Sequence, residues 1–229
     1  MTIHRPGRPG DLPAAEVLWA RWALVAVWEA TAEAEGQGVH RTGHWIDDEG
    51  LHLDDCGCTW WTMSAMGEGR YVLYGEDESS GVKWHEPAVD MLAQGPDWLP
   101  YEELRHRLDG GELGCVYWYE NGAWARAPYP EDLGDDGLDC GMRRFVDRPE
   151  VLAVLTSTDQ ERGRLDADAA AELLEAAEAG RLDPRVLESL FTAAGAAGGS
   201  EPADPDPDLP AMRRALDRAG LTSGAAHAP

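Results

Sequence analysis

Cys115-Val116-Tyr117-Trp118-Tyr119-Glu120, then Asn121-Gly122, then Ala123-Trp124-Ala125-Arg126-Ala127, is a pair of short β-forming runs around one dipeptide. Asn-Gly is the pair that best accepts positive φ at both central positions of a two-residue hairpin turn. Such a turn sets Glu120 opposite Ala123, Tyr119 opposite Trp124, Trp118 opposite Ala125 and Tyr117 opposite Arg126. The two-residue period of a strand then sorts the faces. Val116, Trp118 and the alanines read as core. Tyr117, Tyr119, Trp124 and Arg126 read as an aromatic and guanidinium surface for a partner, because these residue types dominate interface hot spots. The competing reading is a face held by its own cross-strand pairs or covered by the N-terminal helix.

Upstream, residues 59–66 and 70–75 are rich in aromatic and branched side chains and flank Gly67-Glu68-Gly69, a second hairpin signal. Short runs at 44–46 and 51–53 bracket Asp47-Asp48-Glu49-Gly50 and predict a preceding hairpin. No strand–helix–strand alternation occurs, so the sheet is expected to be mostly antiparallel.

A helix is expected from Asp11, placed as an N-cap ahead of Pro13, to about Glu35, with Gly36 as its stop. Apolar residues surround it almost completely, which suits a core helix lying on a sheet or the seam of a homodimer. Two short helices are expected at 87–93 and 100–108, and an amphipathic piece over 142–155 interrupted by Pro149. Helices at 166–179 and from Asp183-Pro184 to Gly195 follow, then a final one at 210–219.

The fold class expected is α+β: an N-terminal helix packed on a mostly antiparallel sheet, with a helical C-terminal appendage. Residues 1–10 read as a flexible leader, 11–155 as the α+β domain and 156–194 as a helical hairpin. Residues 195–229 read as an acidic, Pro/Gly-rich linker with a short helix and tail. The C-terminal third has few large apolar residues, cannot make a deep core, and is expected to be a docking appendage or a loosely attached helical hairpin.

Charge constrains function more than any motif does. There are 43 Asp and Glu against 19 Lys and Arg, a formal net charge of -24 in 229 residues. That field repels phosphate backbones and anionic membrane surfaces and attracts cationic partners. Arg5 and Arg8 ahead of the apolar run 17–28 loosely mimic a secretory signal, but Glu16 and Arg21 flank or interrupt it. At 12 residues the run is shorter than the roughly 20 a membrane span needs. Four cysteines in a chain of this length do not make a dense disulfide framework, so reduced thiols and a cytoplasmic location are expected.

Three constellations carry chemistry-bearing side chains. His40, His44, His52, Cys56 and Cys58 are zinc-type ligands close in sequence, and an extended chain would alternate His52, Asp54, Cys56 and Cys58 onto one face. The Cys-x-Cys spacing is tighter than a usual zinc knuckle, and the same thiols fit a redox pair or small packed hydrophobes. Asp132, Asp135, Asp136 and Asp139 lack the spacing of a calcium loop and read as a solvated turn. His85, Glu86 and His106, with Ser64, Ser79 and Ser80, are framed by no nucleophile elbow, phosphate loop or metalloprotease helix.

The sequence therefore points to a noncatalytic acidic interaction module that masks a basic protein partner, of the immunity-protein, antitoxin or inhibitor type, with no cofactor, nucleic acid or membrane. The alternative is a small metal-dependent hydrolase using the His/Cys cluster at 40–58, with Asp54 or Asp55 as base.

Overall fold

Six strands hydrogen-bond in chain order into one antiparallel meander: β1 Gly43–Ile46, β2 Leu51–Asp54, β3 Thr59–Ala65, β4 Tyr71–Asp77, β5 Cys115–Glu120 and β6 Ala123–Arg126. The computed structural model describes residues 2–38, 41–157, 165–197 and 208–222. The β5–β6 register is the one the Asn-Gly turn dictates, with Tyr117 opposite Arg126 and Glu120 opposite Ala123. Asn121 and Gly122 both take positive φ, 53° and 80°, which matches the turn to the twist of the strands.

The sheet is buried on both faces. On one, Leu53, Trp61 and Met63 of the central strands join Leu73, Tyr117, Tyr119 and Trp124 in the larger core. On the other, Val72, Tyr74, Val116 and Trp118 face a second core made by residues 82–113 and Leu133. Period two was the right rule for separating these sets, but neither set is a solvent face.

Helix α1, Ala15–Trp28, lies on the first face and is buried nearly all round. Each fully buried large apolar side chain contributes about 1.5–3 kcal/mol. Trp22 stacks on Phe145 at 4.9 Å, and its indole donates to the carbonyl of His52. The helix expected to reach Glu35 stops at Trp28, and the chain restarts as α2, Ala32–Gly36, where the Thr31 hydroxyl accepts from the Ala34 amide. A hydroxyl able to cap competes with continuation of the helix. Its own chain covers α1, which is the core-helix arrangement of the two read from the sequence.

Asp11 does not cap α1. It ends a 3-10 turn, Pro9–Asp11, where its carboxylate accepts from the amides of His4 and Arg8. The leader is likewise built in: Ile3 is buried, and the Gly7 amide donates to Asp136 at 2.8 Å.

Helix α3, Tyr101–Asp109, covers the second face. No helix forms over 87–93; there the Asp90 carboxylate accepts from the Leu92 amide, an Asx turn that competes with helical hydrogen bonding. Helices α4 Leu138–Val146, α5 Arg148–Leu155, α6 Ala167–Glu178, α7 Pro184–Ala197 and α8 Leu209–Ala219 complete the described chain.

The C-terminal helices form the docked appendage of the two alternatives and not a loosely attached hairpin. Leu173, Leu174, Leu187, Phe191, Met212 and Leu216 belong to the same core as α1. Trp19 donates to the carbonyl of Ala219 at 3.0 Å, and Arg21 pairs with Glu178 at 2.7 Å while donating to the carbonyls of Phe145 and Val146. Few apolar residues suffice because α1 supplies the apolar surface against which they pack. The linker expected before α8 and the terminal tail lie mostly outside the described residues. Among the described residues, no helix is long and apolar enough to cross a membrane.

Candidate functional site

The four residues expected to meet a partner face inward. Tyr117, Tyr119 and Trp124 are buried. Tyr117 donates to Asp136 at 2.7 Å, Tyr119 donates to Glu16, and the Trp124 indole donates to the carbonyl of Pro13 at 2.7 Å. Arg126 donates to the carbonyl of Gly7 and lies 3.6 Å from the centre of the Tyr129 ring. The leader and the start of α1 occupy the place assigned to a partner, because they bring carbonyls and carboxylates to donors that would otherwise be buried without acceptors.

The zinc-type cluster does not assemble. His44 pairs with Leu53, and Trp45 with His52, so the two histidines lie on opposite faces of the sheet. His44 holds Glu29 at 2.8 Å beside Phe145. His52 bridges Thr62 and Asp47 while stacking on Trp45. Cys56 and Cys58 lie beyond the strand end, exposed on a turn. His40 lies outside the described residues. Among the described residues, no group of three or more His, Cys, Asp and Glu side chains is placed to hold a metal ion.

The acidic run is not a simple solvated turn either. Asp136 is buried and accepts from Gly7, Tyr117 and Leu138. Asp139 binds Arg5 at 2.6 Å, and Asp132 binds His85 at 3.1 Å. His85 also meets the carbonyl of Pro87. The Pro87 carbonyl and then the Asp132 carboxylate push its imidazole above the ordinary value.

What the fold does gather is an acidic rim at the end of the sheet where β2 and β4 finish and β3 and β5 begin. Asp54 and Asp55 shape the β2–β3 turn by accepting from the amides of Cys56, Gly57 and Thr59. Asp77 is buried against the Thr59 hydroxyl, and the Glu78 amide donates to the carbonyl of Cys58. The Gly81 amide donates to the carbonyl of Asp135, which ties the acidic run to the same end. Asp55, Glu78, Glu86, Glu131 and Asp132 are exposed. The cations here are already engaged: Arg5 by Asp139 and Asp135, Lys83 by Glu76 and the carbonyl of Gly111.

From this rim projects Trp84, 77% exposed and the only exposed one of the ten tryptophans. It closes a 3-10 turn, Val82–Trp84, whose Val82 is buried in the second core. Lys83 on one side is held by Glu76, and His85 on the other by Asp132. The indole is therefore presented on a pinned backbone. Sequence reading missed it; the available signal was a tryptophan outside any apolar run, between Lys83 and His85 and ahead of Glu86-Pro87.

The charge of Glu78, with those of Asp55 and Asp77, pushes the exposed Cys58 thiol up. Burial, with Asp77 and Asp139, pushes Cys140 up to about 11 against the hydrogen bond from Ser79. In comparisons with known proteins the chain matches no family model, no curated protein and no solved structure.

Proposed function

We propose that this chain is a noncatalytic acidic interaction protein that masks a basic protein partner, of the immunity-protein, antitoxin or inhibitor type, and engages it through the acidic rim around Trp84. The observation that carries the reading is a lone exposed tryptophan on a turn pinned by the Lys83–Glu76 and His85–Asp132 pairs, with the Lys83 ammonium 5.6 Å from the ring centre and the acidic rim beyond. Large aromatic side chains that enter a partner's pocket are typical hot spots, each worth about 2 kcal/mol or more on truncation. The surrounding carboxylates steer a cationic surface into encounter, which raises the association rate at low salt. Rate of encounter and lifetime of the complex thus come from different residues. A reducing cytoplasm suits the free thiols.

The test begins with a tagged pull-down at low salt from the nuclease-treated native host, eluted by graded salt. A stoichiometric basic protein is then measured against wild type and Trp84→Ala by stopped flow. The reading expects association to slow steeply with ionic strength in both proteins. It expects Trp84→Ala to dissociate about 30-fold faster, the equivalent of about 2 kcal/mol. An association rate indifferent to salt would overturn the reading.

A further inference from the structure

Cys56 and Cys58 are the two exposed cysteines of the four; Cys115 is buried and Cys140 half-buried. Both stand on the β2–β3 turn, separated only by Gly57. Two residues in extended chain place their Cα atoms about 7 Å apart, at the outer limit for a disulfide. Here the chain bends over residues 55–58, with Cys56 at φ 78° and Gly57 at φ 99°. Nothing lies within 4 Å of the position a Cβ on Gly57 would take, so packing does not require glycine there. Its backbone conformation does. The turn is held by Asp54, which accepts from the Cys56 amide at 2.9 Å and the Gly57 amide at 3.0 Å, and by Asp55, which accepts from Thr59 at 2.7 Å.

We propose that Cys56-Gly57-Cys58 is a thiol–disulfide exchange site that takes small cationic disulfides and closes to an intramolecular Cys56–Cys58 disulfide. The Cys56 thiolate attacks a disulfide RSSR; its S–S bond breaks, a Cys56–S–S–R bond forms, and one RS⁻ leaves to be protonated. The Cys58 thiolate then attacks the Cys56 sulfur and expels the second RS⁻. The protein is oxidised by two electrons, RSSR is reduced to two RSH, and the two thiol protons end on those products. Cys58, whose thiolate the carboxylate of Glu78, with Asp55 and Asp77, disfavours, takes the second step, where attack on the neighbouring Cys56 sulfur is intramolecular. The same carboxylates attract a cationic disulfide and repel an anionic one.

The purified, fully reduced chain is treated separately with cystamine, bis(2-hydroxyethyl) disulfide and glutathione disulfide, and followed by intact mass and peptide mapping. The expected product has lost two hydrogens, with Cys56 linked to Cys58. Cystamine is expected to react at least about fivefold faster than glutathione disulfide at low salt, the neutral disulfide falling between, with the spread closing toward one at 0.5 M salt. Cys58→Ser should stop at a mixed disulfide on Cys56. Gly57→Ala, strained at its positive φ, should accumulate the mixed disulfide before closing. A wild-type product that remains a mixed disulfide, links to Cys140 or links two chains would overturn the proposal. Equal rates with the three reagents would overturn its preference for cations. None of these outcomes depends on whether a basic protein partner is found.

Discussion

The hydroxyl of Tyr117 donates to the buried carboxylate of Asp136 at 2.7 Å, and the same carboxylate accepts from the Gly7 amide at 2.8 Å. One acid thereby fastens β5 to the N-terminal segment. Burial, reinforced by the Asp136 charge, holds the Tyr117 phenol well above its ordinary pKa, so it remains a donor.

Removing that acceptor takes the partner from the Gly7 amide, the Tyr117 hydroxyl and, at 3.4 Å, the Leu138 amide, at roughly 1–3 kcal/mol for each donor left buried and unpaired. Asp136→Ala is expected to lower stability by about 2–4 kcal/mol in urea unfolding and to expose the segment before α1 to proteolysis. Tyr117→Phe, which removes a single donor, should cost about 1–2 kcal/mol. An Asp136→Ala protein as stable as wild type would show that the segment is not fastened there.

Gly141 in α4 presses directly on the Trp61 indole, with no room for a methyl group. Gly141→Ala would ordinarily favour a helix by up to about 1 kcal/mol. Here the clash with a fully buried tryptophan should reverse the sign and cost about 1–3 kcal/mol. Denaturation midpoints of Gly141→Ala and of the double variant Gly141→Ala/Trp61→Phe decide it, since the smaller ring should recover part of the loss.

Partial burial pushes Asp47 up, but hydrogen bonds from His52, Glu49 and Trp45, with the charge of His52, bring it down to about 2. A carboxylate held below its unfolded value of 3.8 stabilises the fold above that value and loses the contribution as pH falls toward 2. His52→Ala should move the Asp47 titration, read by carboxyl NMR, up toward the ordinary range. It should also flatten the fall in melting temperature between about pH 4 and 2. An unmoved Asp47 would remove His52 as the cause.

Trp84 touches solvent more than core, so Trp84→Ala should leave stability within about 0.5 kcal/mol of wild type. Its fluorescence reads the rim's field directly. Cesium should quench the accessible emission far better than iodide at low ionic strength, the two should converge as salt screens the carboxylates, and Trp84→Phe should abolish the accessible component. Equal quenching at low salt would mean that the rim carries no negative field.

The sheet was largely legible in the sequence because each hairpin declares itself locally. Asn121-Gly122 sets a register, Gly67-Glu68-Gly69 punctuates β3 and β4, and alternation does the rest. Helix ends were less legible, since Thr31 and Asp90 offer the backbone competing hydrogen bonds whose outcome depends on surroundings. The site was least legible. Tyr117, Tyr119 and Trp124 have the composition of a hot spot and also of a core, and the segments that cover them come from more than a hundred residues away.

By itself, the sequence determined the antiparallel hairpins, the α+β class and the acidic field, because turn chemistry, side-chain period and net charge are properties of neighbouring residues or of simple sums. Only the tertiary structure decided which face of a strand meets water. It placed His44 and His52 on opposite sides of the sheet, pinned the leader to Asp136, joined the C-terminal helices to α1 and left Trp84 outside. Burial is fixed by whichever distant segment can best satisfy a face's apolar area and polar atoms together, and no local window of sequence contains that competition.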